Sequence, residues 1–86
     1  MNPDIERKIG YNICALREKA KMTQEQLSAK LQIEGCNITR SALAKIEVGQ
    51  RHLYPDEIIL IKNILDVSYD DVFMIDKSKK YGDNCD

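Results

Sequence analysis

An all-α domain built around a helix-turn-helix is what this sequence predicts, and three observations predict it. Thr23 stands three residues before Gln26, the T-x-x-Q spacing of a capping box, so a helix opens there. A second cap candidate, Thr39, opens another short helix from Arg40 to Glu47, across the polar, Gly-bearing connection IEGCN. Elsewhere, apolar residues recur at the three- and four-residue intervals of helices packed on one core.

Taken in order, Asn2 and Pro3 read as a helix start, since the missing N–H of proline costs nothing at the first helical position. Asp4 and Glu6 suit the positive end of that helix. Ile5, Ile9, Ile13 and Leu16 then fall within roughly 80° of one another and make a single core-facing stripe. Gly10 weakens the helix by about 1 kcal/mol against alanine. Arg17 lies at the border of the stripe, and the helix is expected to end near Ala20. In the second helix, Leu27 and Leu31 share a face.

The third helix divides into two sides. With Arg40 at zero, Ala42, Ile46 and Leu43 cover about 200° to 300°, and Ala44, Ser41 and Lys45 about 40° to 140°. One side is apolar. The other carries small and basic residues, with little bulk and with donors suited to guanine O6/N7 or to phosphate in a major groove. The plainer reading makes Arg40 and Lys45 solubilising charges on a surface helix.

Gly49 fits the left-handed residue that ends this helix, and GQRHLY follows as a polar, partly basic loop. Tyr54-Pro55-Asp56-Glu57 starts a fourth helix, running to about Leu65. Ile58, Ile61 and Leu65 form one stripe, whereas Leu60 and Ile64 lie roughly opposite. That surplus calls for a last helix or a second subunit, and Leu60, Ile64, Val72, Phe73 and Met74 are the candidates for a dimer surface. For Val72 and Phe73 the bland alternative is closure of the core. Ser68 and Asp71 have capping-box spacing and open a short final helix, Tyr69 to Phe73. The expected domain is 1–74, followed by a polar tail, 75–86, expected to be disordered.

With 86 residues, the chain has room for one small core. Its hydrophobic share of 43% and charged share of 31% are those of a soluble globular protein. Apolar runs are no longer than that of Ile58 to Ile61, and MNPDIERKIG has no signal-peptide core, so a cytoplasmic protein without membrane contact is expected. Cys14, Cys36 and Cys85 are widely spaced, with no C-x-x-C and a single His, so reduced structural thiols are expected and no metal or cofactor. One His, no Gly-rich phosphate loop and no clustered carboxylates argue against an enzyme and a small-molecule substrate. Net charge is −1, which does not announce a nucleic-acid binder, but it is unevenly spread. Residues 1–54 carry a balance of +3 and residues 55–86 one of −4. A positive face on the first part would attract phosphate.

Three runs, IGYNICALREKAKMTQEQLSAKL, ITRSALAKIEVGQR and PDEIILIKNILDVSYDDVF, resemble the Cro/cI-type (XRE-like) helix-turn-helix family of bacterial and phage regulators. The agreement spans about Ile9 to Phe73 and includes T-Q-E-Q-L, K-I-E-x-G and L-D-V-S-x-D-D-x-F. The resemblance implies a compact lambda-repressor-like bundle of five short helices. It implies sequence-specific binding to double-stranded DNA as a transcriptional regulator, with helix 40–47 in the major groove and a homodimer on a palindromic operator. A protein-interaction module, antitoxin-like or an anti-repressor partner using the fourth-helix and C-terminal surface, is the alternative.

Position by position, the resemblance implies a structural ion pair between Arg17 and Glu47. It assigns base contacts to Arg40, Ser41 and Lys45, and phosphate contacts to Gln24, Thr39, Gln50 and Arg51. The chain departs from the family in a longer connection between the second and third helices, in Val48 at a usually polar position, and in Ser28 where alanine is usual. Extra loop length is cheap, at about 0.6 kcal/mol per doubling.

Overall fold

In a computed structural model that describes residues 2–75, each helix starts where the sequence encodes a cap. Five helices follow one another: α1 (Pro3–Lys19), α2 (Gln24–Ile33), α3 (Arg40–Glu47), α4 (Pro55–Leu65) and α5 (Tyr69–Phe73). The fold is all-α among the described residues, as expected. The expected tail from residue 76 onward lies outside the described residues.

Asn2 Oδ1 accepts the N–H of Asp4 and of Ile5, and Pro3 takes the first helical position of α1. Thr23 and Gln26 form the full reciprocal capping box of α2: Gln26 N–H donates to Thr23 Oγ1 at 3.1 Å, and Thr23 N–H to Gln26 Oε1 at 2.8 Å. Thr39 Oγ1 accepts Ala42 N–H to start α3, and Ser68 and Asp71 repeat the reciprocal pattern for α5. At α4 the bond runs only backwards, from Tyr54 N–H to Glu57 Oε1 at 3.0 Å.

The helix ends are equally regular. After α2, Gly35 at φ 84° closes a Schellman motif in which Gly35 N–H donates to Gln32 O and Cys36 N–H to Leu31 O. Gly49 at φ 78° does the same after α3, through Gly49 N–H to Ile46 O and Gln50 N–H to Lys45 O.

The core gathers Ile13 from α1, Leu27 and Leu31 from α2, Leu43 and Ile46 from α3, Ile61 and Leu65 from α4, and Val72 from α5. Two further members, Cys36 and Ile38, come from the connection between α2 and α3. That segment, IEGCN and the residues after it, is therefore no polar spacer. It sends Ile38 fully into the core.

Two expectations need correcting. Val72 cannot belong to a dimer surface, because it is fully buried as the residue through which α5 closes the core. Phe73 and Met74 remain exposed, while Leu60 and Ile64 are half-buried against the core. Cys36 is a free, buried thiol, but Cys14 is disulfide-bonded, so the thiols are not all reduced. Spacing along the chain does not report which cysteines meet in space.

α1 packs directly on α3 at Gly10. A Cβ there would run into the carbonyl oxygen of Ile46 and lie 2.9 Å from that of Glu47. The glycine that weakens α1 as a helix thus lets its backbone rest on the last turn of α3.

Candidate nucleic-acid interface

The carboxylate of Glu47, the last residue of α3, organises the region. Arg17 Nε donates to its Oε2 at 2.8 Å and Arg17 Nη2 to its Oε1 at 3.1 Å. Both side chains are nearly closed off from solvent. The remaining guanidinium nitrogen, Nη1, donates to the Met22 carbonyl at 2.7 Å, and Nη2 also reaches Cys14 Sγ at 3.3 Å. Gln24 Nε2 adds a third bond to Glu47 Oε1 at 2.9 Å. One carboxylate is thereby tied to α1, to the α1–α2 link and to the first residue of α2. The fork geometry of a guanidinium, and the absence among the described residues of buried side-chain polar atoms without a partner, are what a buried ion pair requires.

This clamp fixes how α3 presents its outer side. Leu43, Ile46 and Glu47 are buried, whereas Arg40, Ser41 and Lys45 are exposed, as the helical spacing predicts. Thr39 and Gln50 at the two ends of α3 are exposed as well. The structure therefore groups Thr39, Arg40, Ser41 and Lys45 along one short helix, with Gln50 following it.

Two of the expected phosphate contacts are placed differently. The side chain of Gln24 is engaged with Glu47, so what α2 offers an anion at its start is backbone N–H groups and the helix dipole. Arg51 is turned inward. Its Nη1 and Nη2 donate to Glu57 Oε1 and Oε2 at 2.9 and 3.0 Å, and Nη1 also donates to the His52 carbonyl. This pairing holds the Glu57 carboxyl below the usual carboxylate range, against the opposing effect of burial. His52 Nδ1 meets Glu6 Oε1 at 2.9 Å and ties the same loop to α1. The loop after α3 is thus braced to both α1 and α4.

Sequence reasoning missed the polar anchors that hold the longer connection. Ser28 Oγ donates to the Ile38 carbonyl at 2.7 Å, and Gln32 Nε2 donates to Ser28 Oγ and to the same carbonyl. The unusual Ser28 and the unusual length of the connection are one feature. Asn12 is another such anchor: its Nδ2 donates to the Val72 and Met74 carbonyls at 3.0 and 2.9 Å, joining α1 to the end of α5.

Among the described residues, no helix is long and apolar enough to cross a membrane. Comparison with curated proteins and with solved structures finds no match. The helix-turn-helix family model matches residues 15–72, which run from the end of α1 through the clamp, α3 and α4 into α5. With that match over most of the chain and a five-helix all-α fold around α2 and α3, the chain belongs to the Cro/cI-type (XRE-like) family of DNA-binding helix-turn-helix proteins.

Proposed function

We propose that this protein is a transcriptional regulator that acts by occupying a specific double-stranded DNA sequence in the cytoplasm, with α3 in the major groove. The observation that carries the reading is the sidedness of α3. Leu43, Ile46 and Glu47 on its inner side are buried and the helix is clamped through Glu47, while Arg40, Ser41 and Lys45 face outward on a helix slim enough for the groove. Arg40 and Lys45 supply donors for guanine or phosphate, Ser41 is small enough for close approach, and Thr39 and Gln50 serve the backbone at either end. The start of α2 adds N–H groups for one phosphate.

A single module of this size makes few base contacts. Two subunits on a palindrome, with half-sites about 34 Å apart, give the needed affinity and specificity. Selection of bound sequences from random duplex DNA tests the reading. Enrichment of a palindrome that disappears in Arg40→Ala and Ser41→Ala variants is expected. Binding that is indifferent to sequence, or absent even at about 50 mM salt, contradicts it.

The balance of −4 over residues 55–86 favours a second reading, a protein-interaction module in the antitoxin or anti-repressor class. The same selection separates the two, since that module enriches no DNA sequence.

A further inference from the structure

The surface where α2 ends against α4 is the least accounted for. Ile33, the last residue of α2, is 84% exposed, the most exposed of the large apolar side chains among the described residues. Beside it, a cleft of about 280 Å³ is lined by Lys30, Ile33, Glu34 and Ile64. A second cleft, of about 210 Å³, is lined by Glu34, Leu60, Asn63 and Ile64. An apolar knob and an apolar-floored hole therefore lie on one face and share Glu34 and Ile64 as their common wall.

We infer that this α2/α4 face is where two copies of the chain meet, an inference that rests on the homodimer proposed above and gives it a surface. A two-fold axis brings the same patch of each copy against the other, so a stable contact must be self-complementary. This patch is. Ile33 of one copy enters the Leu60/Ile64 cleft of its partner, and the partner's Ile33 enters in return. Lys30 and Glu34 flank the knob on α2, are exposed, and form no ion pair among the described residues. Across the axis, Lys30 of each copy faces Glu34 of the other, which gives two equivalent pairs. A patch of zero net charge with one cation and one anion astride an apolar centre suits a second copy better than a strongly acidic or basic partner. The outer side of α3 takes no part in it, so both recognition helices stay free.

The half-buried state of Leu60 and Ile64 agrees with this arrangement, because they form a floor for Ile33 and need not protrude themselves. Phe73 and Met74 line neither cleft, and the contact proposed here does not call on them.

Sedimentation velocity on the full chain tests the inference, with circular dichroism to confirm that each variant is folded. The wild-type chain is expected to dimerise. Ile33→Glu, which forces two charges into the apolar centre, is expected to raise the dimer Kd by at least about a hundredfold. Lys30→Glu and Glu34→Lys are each expected to weaken self-association by about tenfold, since every copy then meets like charges twice. Mixing those two variants should restore a dimer as tight as wild type, because each supplies the charge that the other lacks. No restoration on mixing, or a dimer that survives Ile33→Glu but is lost in Phe73→Ser, overturns the assignment. Binding of folded Ile33→Glu to a duplex with a single half-site reads the DNA function separately. If the wild-type chain is a monomer yet binds that duplex, the surface assignment falls and the DNA reading stands.

Discussion

Arg17 grips both carboxylate oxygens of Glu47, thirty residues away, while its third nitrogen holds the Met22 carbonyl. The pair joins the end of α1 to the end of α3 and draws the start of α2 to the same point through Gln24. Desolvating two charges offsets most of their attraction, so the pair contributes orientation more than stability. Removing one partner is a different matter. Arg17→Leu leaves a buried carboxylate with only Gln24 as a donor, and urea unfolding should show a loss of about 3 to 5 kcal/mol. The double variant Arg17→Leu/Glu47→Leu should recover a large part of that loss. If the double variant is as unstable as the sum of the two single ones, the two side chains are not coupled and the account is wrong.

Gly10 makes a prediction that runs against helix propensity. Alanine at an exposed helix position would stabilise α1 by about 1 kcal/mol, but here its Cβ meets backbone carbonyls of Ile46 and Glu47, which cannot step aside. Gly10→Ala should destabilise by about 2 kcal/mol or more in the same unfolding assay. A Cβ at Gly35 meets nothing within 4 Å, so Gly35→Ala should cost only the left-handed backbone, about 1 to 2 kcal/mol. A stabilised Gly10→Ala would mean that α1 and α3 are farther apart than described.

These two positions show what could be read from the chain alone. Helix starts at Asn2, Thr23, Thr39 and Ser68 were legible because a cap is chemistry between residues two or three apart. The outward side of α3 was legible because an eight-residue helix repeats its period twice. Arg17 and Glu47 could be paired only through the family resemblance, since nothing local links them. Gly10 looked like a weak point because its reason, the α3 backbone, is distant in sequence. Cys36 and Ile38 sit in a segment with no period, so their burial left no pattern to find. The inward turn of Arg51 was missed because Glu57 lies across a helix start, where an acid already had a local explanation.

Ser28 carries the next prediction. Its hydroxyl donates to the Ile38 carbonyl and accepts from Gln32, so it fastens the connection onto α2. Ser28→Ala removes the shorter of the two bonds to that carbonyl and should cost about 1 to 2 kcal/mol. Hydrogen exchange at Cys36 and Ile38 should quicken more than exchange in α4. Uniform quickening would show that the connection is not held by Ser28 in particular.

Acid should loosen this fold from several carboxylates at once. Arg51 holds the Glu57 carboxyl low, the Ser68 backbone N–H and hydroxyl hold Asp71 low, and Lys8 with Arg7 holds Asp4 low. A carboxyl with a lowered value in the folded state binds its proton more readily in the unfolded chain. Its contribution is therefore present above the ordinary value of about 4 and is lost as pH falls through the folded value. The stability gap between wild type and Glu57→Gln should be widest near about pH 6 and should narrow below about pH 4. A gap that stays constant with pH would mean that the Glu57 carboxylate charge contributes nothing.

Arg51 separates a brace from a phosphate contact. Its fork is committed to Glu57 and to the His52 carbonyl, so it positions the loop that carries Gln50. A phosphate-binding cation would give up about 0.9 of a unit in the slope of log affinity against log salt when neutralised. Arg51→Gln is instead expected to lower DNA affinity and thermal stability together and to leave that slope unchanged. Arg51→Lys should behave in the same way, because it keeps the charge but loses the two-pronged geometry. Lys45→Gln is the contrasting case: its side chain is exposed on the outer side of α3, and a reduced slope with unchanged stability is expected. Should Arg51→Gln cut the slope while Arg51→Lys preserves it, the guanidinium leaves Glu57 for phosphate when DNA arrives, and the loop brace is a state of the free protein alone.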